Sequence, residues 1–320
     1  MSIRWGIIGC GDVARRRVAT AIQADPGSEL VAVCRRNQQA LDKFCADFNV
    51  PLGTTDASQL IASSDLDALY IATPVHLHHP QTIASASVGK HVLVEKPMAM
   101  SVEECNTMVQ VCQEKGVKLG VAYYRRFYPV VQRMLDLMAE GTIGTVLSVS
   151  AVTCNPFPMD ESDDGYWRVI PEKGGGGALM DIGSHRIDLL QHIAGPISEV
   201  HGFCDQRAVA YNADNCSTVS MRFASGVHGL VQCFFSAKID PDRFTIIGTG
   251  GQLVSQPLNS GQLEITTSAG TSVESHPPQE NFCVPLIADF VAAIQSDRQP
   301  VVSGELGRAT NQVIAQAYGH

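Results

Sequence analysis

A chain of 320 residues is long enough for two domains, each with its own core. Hydrophobic residues make up 45% and charged residues 17%, which describes a globular protein and not a disordered one. The formal net charge of -9 excludes the basic footprint of a nucleic-acid binder, and no apolar stretch approaches the roughly 18 residues of a membrane span.

The first third alternates strands and helices. Residues 4–8 read as a strand, with a helix opening after Gly11. A second strand spans 30–34, then a helix 38–48 with Leu41, Phe44 and Phe48 on one face. A strand at 69–72 ends in Thr73-Pro74, and a helix follows over 80–88. Strand 92–94, helix 102–115 and strand 118–122 complete the series. This spacing predicts a doubly wound parallel sheet, a Rossmann domain over 1–122. Past Tyr123 the pattern changes. A helix at 128–140 precedes alternating runs at 145–153, 200–204, 216–223, 227–235, 243–248 and 262–267. These predict strands of a large, mostly antiparallel open sheet with one solvated face. Gly250-Gly251 and Ser260-Gly261 read as turns, and 286–296 and 306–317 as closing helices. The second domain is therefore expected to be α+β over 123–320.

The ten cysteines, at 10, 34, 45, 105, 112, 154, 204, 216, 233 and 283, form no C-x-x-C pair. Scattered through apolar segments, they read as reduced core thiols of a cytoplasmic protein. The N-terminus running straight into a strand, with no secretory apolar region, carries the same expectation. The basic run Arg15-Arg16-Arg17 reads as a solvated helix face or an anion contact.

Three groups of residues carry chemistry. The first is Gly9-Cys10-Gly11-Asp12-Val13-Ala14, a G-x-G-x-x-A turn between strand and helix. Gly9, Gly11, Asp12 and Val13 are expected to cradle a pyrophosphate at the helix N-terminus. NAD binders usually hold a carboxylate about 20 residues further on, for the ribose 2′-OH. Here Cys34 stands at that place, followed by Arg35 and Arg36. A carboxylate repels a 2′-phosphate and an arginine pairs with one, so NADP(H) is expected over NAD(H), with NAD(H) still possible. Thr73, Pro74 and His78 lie on the same carboxyl edge and are expected to line the cofactor site; with no carboxylate or cysteine nearby, His76, His78 and His79 are not read as metal ligands.

The second group is Glu95-Lys96-Pro97, directly after the apolar run 91–94. Ligands bind at the carboxyl ends of strands in such sheets, so a lysine there is a candidate catalytic group. Pro97 stops the strand. The third group is Asp181 and His185, four apart at the start of a helix behind Gly174-Gly175-Gly176-Gly177. That spacing puts both on one helix face, where a carboxylate fixes the tautomer of a general acid/base histidine. Asp188 reads as an exposed or interdomain residue. Tyr124, Arg126, Trp167 and Arg168 offer the ring faces and donors that a polyhydroxylated substrate needs.

Together these elements resemble the Gfo/Idh/MocA oxidoreductases. The resemblance rests on Gly9-Cys10-Gly11, Thr73-Pro74 with His78, the run 89–97 ending in Glu95-Lys96-Pro97, Arg126-Phe127-Tyr128-Pro129, Trp167-Arg168, and Asp181 through His185. It covers nearly the whole chain. Trp167-Arg168 followed by glycines is most similar to sugar reductases of the 1,5-anhydro-D-fructose reductase type. The resemblance implies hydride transfer between a nicotinamide and a carbonyl or secondary alcohol of a sugar or polyol. Lys96 would bond the substrate oxygen, and His185 would be the main proton donor or acceptor, oriented by Asp181. Glu95 would support Lys96 or the nicotinamide. Alternatives are a dehydrogenase of another substrate, such as a cyclic dihydrodiol or a tetrapyrrole, and a non-catalytic nucleotide- and sugar-binding sensor. The open sheet face predicts a homodimer or homotetramer.

Overall fold

In the computed structural model, which describes residues 2–319, the first part of the chain runs β1 (Ile3–Ile8), a π-helical turn at Ala14–Val18, α1 (Ala19–Ala24), β2 (Ser28–Cys34), α2 (Gln38–Phe48), β3 (Leu52–Thr54), α3 (Ala57–Ala62), β4 (Ala68–Ile71), α4 (His78–Ser87), β5 (His91–Val94), α5 (Val102–Glu114) and β6 (Leu119–Val121). The strands are parallel, in the order β3-β2-β1-β4-β5-β6. β4 and β6 are wholly buried, as strands covered by helices on both faces must be. β3 and α3 were not expected. Leu52-Gly53-Thr54 is largely exposed and short, so no apolar period announces it.

The second part contains α6 (Pro129–Ala139), β7 (Val146–Cys154), α7 (Pro171–Gly174), α8 (Ser184–Ala194), β8 (Ile197–Asp205), β9 (Cys216–Phe223), β10 (His228–Phe234), β11 (Arg243–Gly248), β12 (Gly251–Ser255), β13 (Gln262–Thr267) and β14 (Gly270–Ser275). Its eight strands follow the order β14-β13-β12-β11-β7-β10-β9-β8, antiparallel except for the β7–β10 pair. In β9, Val219, Met221 and Phe223 point inward while the residues between them are more open, the alternation of a sheet with one solvated face. α8 packs against β7 and β10. β12 was hidden because Gly251, read as a turn residue, instead opens the strand and pairs with Gly248. β14 was hidden because it is exposed along nearly its whole length.

The last helices are α9 (Val284–Gln295) and α10 (Gly304–Tyr318). The chain forms two compact units, residues 2–124 with 281–308, and residues 125–280 with 309–319. This differs from the single boundary expected at 122/123. The returning segment covers the β6 edge of the first sheet. Val121 donates its N–H to the Val302 oxygen at 3.0 Å, and the Phe290 ring lies 5.6 Å from that of Trp5. Helical periodicity shows that α9 has an apolar face but does not name the surface it covers.

Candidate active site

Three loops at the carboxyl ends of the adjacent strands β1, β4 and β5 hold the candidates of the first unit. After β1, the Gly9 N–H donates to the Cys34 oxygen at 3.0 Å, and the Gly11 N–H to the Gly9 oxygen at 2.8 Å. Gly9 has φ +98°, and a Cβ there would stand 2.6 Å from the Ala72 oxygen, so the turn requires glycine. A Cβ on Gly11, by contrast, would meet nothing within 4 Å. Open space over that glycine, beside helix amides that have no intrahelical acceptor, fits a pyrophosphate.

The end of β2 carries no negative charge. Burial pushes the Cys34 thiol up to about 11, so it stays protonated. Arg35 folds back to brace the glycine turn, its Nη1 donating to the Cys10 oxygen at 2.6 Å. Arg36 is exposed. Arg15, from the basic run, stacks on Phe44 and pairs with Asp47, which is a structural use.

Thr73 and Pro74 follow β4. His78 does not line a ligand surface as expected. It is 1% exposed, with Nδ1 3.0 Å from the Pro97 oxygen and Nε2 2.8 Å from the Thr73 oxygen. Its ring therefore sits between the loop after β4 and the loop after β5, donating its one N–H to one of the two carbonyl oxygens. Spacing gives a side chain's position and not its burial, which is why the sequence read His78 as lining a ligand.

After β5, the Glu95 carboxylate is held from both sides. Oε1 accepts the Tyr70 hydroxyl at 2.7 Å and Oε2 accepts the Lys96 N–H at 3.2 Å. Tyr70 is fully buried, and burial together with Glu95 pushes its phenol well above its usual range. Sequence reasoning passed over Tyr70, which looked like one more apolar residue of a buried strand. The Lys96–Pro97 peptide is cis. Tyr124 lies with Phe282 and Arg17; its ring is 5.7 Å from that of Phe282, and its hydroxyl accepts from Arg17 Nη1 at 3.2 Å.

The second unit holds the remaining candidates. A π-helical turn at Leu179–Gly183 runs into α8, carrying Asp181 and His185. Such turns widen a helix locally and recur at functional sites. His185 is 6% exposed. The Asp181 carboxylate stands 3.8 Å from the Arg168 guanidinium, which lies 4.7 Å from the half-buried Trp167 ring.

Arg126 and Asp188 depart from expectation. Arg126 is not a substrate-facing donor but is buried at 4% exposure. Its Nε lies 3.0 Å from both Asp188 oxygens, and Nη2 lies 2.7 Å from Oδ1. Asp188, expected to be exposed or interdomain, is fully buried against Arg126 of its own unit; burial pushes its pKa up and Arg126 pulls it back down. The guanidinium contacts both carboxylate oxygens, which directs it at Asp188 and not at a substrate.

Two histidines predict a pH dependence. Burial draws both His78 and His192 down to about 4, with Arg126 adding to the effect at His192. Both rings are neutral in the folded protein at pH 7, whereas the unfolded chain protonates them near 6.5. Between those values the unfolded chain binds more protons, so this stabilisation is complete above about 6.5 and lost as pH falls toward 4. Thermal unfolding should show Tm falling across this window, with a shallower fall in His192→Gln. Equal slopes in the two proteins would contradict the assignment for His192.

A glycine-turn cradle on a parallel sheet, with a lysine on the same edge, defines a dinucleotide-dependent oxidoreductase with a separate α+β unit. The chain belongs to the GFO/IDH/MocA family. The family's NAD-binding Rossmann-fold model matches residues 3–123, and its C-terminal domain model matches 131–254. Oxidoreductase P35 of Formosa agariphila is 34% identical over 277 residues, covering 86% of this chain and 84% of that one. The 1,5-anhydro-D-fructose reductase of Ensifer adhaerens is 29% identical over 317 residues, covering 95% and 92%. Among solved structures, aldose-aldose oxidoreductase from Caulobacter crescentus superposes with a TM-score of 0.91 at 24% identity, over 100% of this chain and 97% of that one. The protein is an NAD(P)-dependent oxidoreductase. No helix among the described residues is long and apolar enough to cross a membrane.

Proposed function

We propose that the protein is an NADP(H)-dependent oxidoreductase that interconverts a carbonyl and a secondary alcohol on a sugar or related polyol. The observation that carries this reading is the edge shared by β1, β4 and β5. It sets the open cradle at Gly11 and the braced Lys96 turn on one side of one sheet. Bound nicotinamide would supply or accept the hydride. The rest is proton handling by this chain. Lys96 bonds the substrate oxygen and shares in proton transfer. His185 gives a proton to that oxygen in reduction and takes one in oxidation, while Asp181 orients it. Glu95, tied to Tyr70, shapes the turn that presents Lys96. Trp167, Arg168 and Tyr124 supply ring faces and donors for a polyhydroxylated substrate.

The NADP(H) preference rests on the neutral Cys34 thiol where NAD binders hold a carboxylate, and on the exposed Arg36. NADPH is expected to bind at least tenfold more tightly than NADH by fluorescence titration, with the gap narrowing in Arg36→Ala. A dissociation constant for NADPH no tighter than for NADH would sink the preference. For the reaction, NADPH oxidation is measured across 1,5-anhydro-D-fructose, other keto-sugars and aldoses, and NADP⁺ reduction with a trans-dihydrodiol. Turnover confined to the sugars supports the proposal. Turnover of the dihydrodiol alone, or tight cofactor binding with no turnover, would refute it.

We further propose a homodimer or homotetramer in the cytoplasm. Phe203 is 75% exposed on β8 and Val273 64% exposed on β14, at the two ends of the second sheet. All ten cysteines are free thiols, which suits a reducing compartment.

A further inference from the structure

The helix that carries Asp181 and His185 opens without a cap of its own. Ala178 stands at its N-cap position and offers no side-chain acceptor, and the four residues before it are glycines. The first amides of a helix have no intrahelical acceptor, and when buried they need partners from elsewhere. Asp214, about 35 residues further along the chain, meets three in succession. Its Oδ1 accepts the Gly177 N–H at 2.7 Å, its backbone oxygen accepts that of Ala178 at 2.9 Å, and its Oδ2 accepts that of Leu179 at 2.9 Å.

The carboxylate is itself held in place. Tyr318, at the end of α10, donates its hydroxyl to Oδ1 at 2.6 Å, and Ser217 Oγ donates to Oδ2 at 2.6 Å. Asp214 is 9% exposed. A Cβ on Gly177 would collide with the Asp214 backbone oxygen, so the close approach depends on that glycine. A negative charge at this end also complements the helix dipole.

We propose that Asp214 is a positioning residue for catalysis. It acts as a remote N-cap that sets the start of the helix, and with it the placement of Asp181 and His185. This rests on the reading of those two residues as the proton-transfer pair. Tyr318 and Ser217 fix the carboxylate. They stabilise the arrangement without touching the helix amides.

The test separates placement from stability. In Asp214→Ala, amide exchange at residues 177 and 179, whose acceptors are the two carboxylate oxygens, is expected to speed up at least tenfold relative to the later turns of α8, while Ala178 keeps its backbone acceptor. Turnover with a sugar active in the screen above should drop at least tenfold, with the NADPH dissociation constant within twofold of wild type. Tyr318→Phe leaves the three amide contacts in place, so it should lower Tm yet keep kcat within threefold. A loss of kcat that merely tracks Tm across the two variants would overturn the proposal, as would unchanged exchange and turnover in Asp214→Ala. If Asp214→Ala does not fold, Asp214→Asn carries the same readouts, with an expected loss of at least threefold in kcat. His185→Gln separates the two claims. Full turnover in that variant removes the underlying reading of the site, whereas exchange at 177 and 179 judges the cap independently.

Discussion

Replacing Lys96 by alanine is expected to lower kcat by about 10²- to 10⁴-fold, the range that a positioned acid or base contributes, with the NADPH dissociation constant changing less than about threefold. The argument runs through the turn. Glu95 is fixed by the buried Tyr70 hydroxyl and accepts the Lys96 amide, so the backbone from which Lys96 projects is held by groups that the substitution leaves intact. The glycine turn at Gly9 depends on Cys34 and Ala72, not on Lys96. The cofactor therefore keeps its cradle while the reacting oxygen loses a donor. Lys96→Arg should rescue little, because a planar guanidinium cannot stand in for a compact ammonium at a single oxygen. Steady-state kinetics with fluorescence titration of the cofactor checks both halves. Turnover within threefold of wild type would end the assignment of Lys96.

The second large effect falls on stability. Asp188→Ala should destabilise the protein by about 3–5 kcal/mol, the usual cost of removing one member of a buried ion pair. Arg126 makes three close contacts to that carboxylate and is almost wholly buried, so its charge would be stranded. The penalty comes from the charge left behind more than from the bond lost. The double variant Arg126→Met, Asp188→Leu should accordingly be less damaged than Asp188→Ala alone. Urea unfolding of the three proteins gives the comparison. A cost below about 1 kcal/mol for Asp188→Ala, typical of exposed pairs, would show that the pair is not sealed from water.

Lys96 and Arg126 differ in how much of their setting the sequence records. Lys96 was legible because its neighbours in sequence define its setting: an apolar strand before it and a proline after it. Arg126 and His78 were legible as special positions but not in role. Each lies beside residues expected at the site, and each turns inward, Arg126 to Asp188 far along the chain and His78 to the Thr73 carbonyl nearby and the Pro97 carbonyl in the next loop. Arg35 shows the same limit, being spent partly on the Cys10 oxygen. Tyr70 and Asp214 left no signal, since a tyrosine in a buried strand and an aspartate in a loop both have ordinary explanations.

Local chemistry therefore settled the class of this protein. Strand–helix alternation, the G-x-G-x-x-A turn, and the order of Glu95-Lys96-Pro97 and Asp181…His185 are all short-range patterns, and short-range patterns are what a linear chain records. Tertiary structure decided the rest. It sent residues 281–308 back to the first unit, buried Arg126 against Asp188, and brought Asp214 to the bare amides of a helix about 35 residues earlier in the chain. Those pairings satisfy buried polar groups through space, and the chain order carries no record of which distant group will satisfy which.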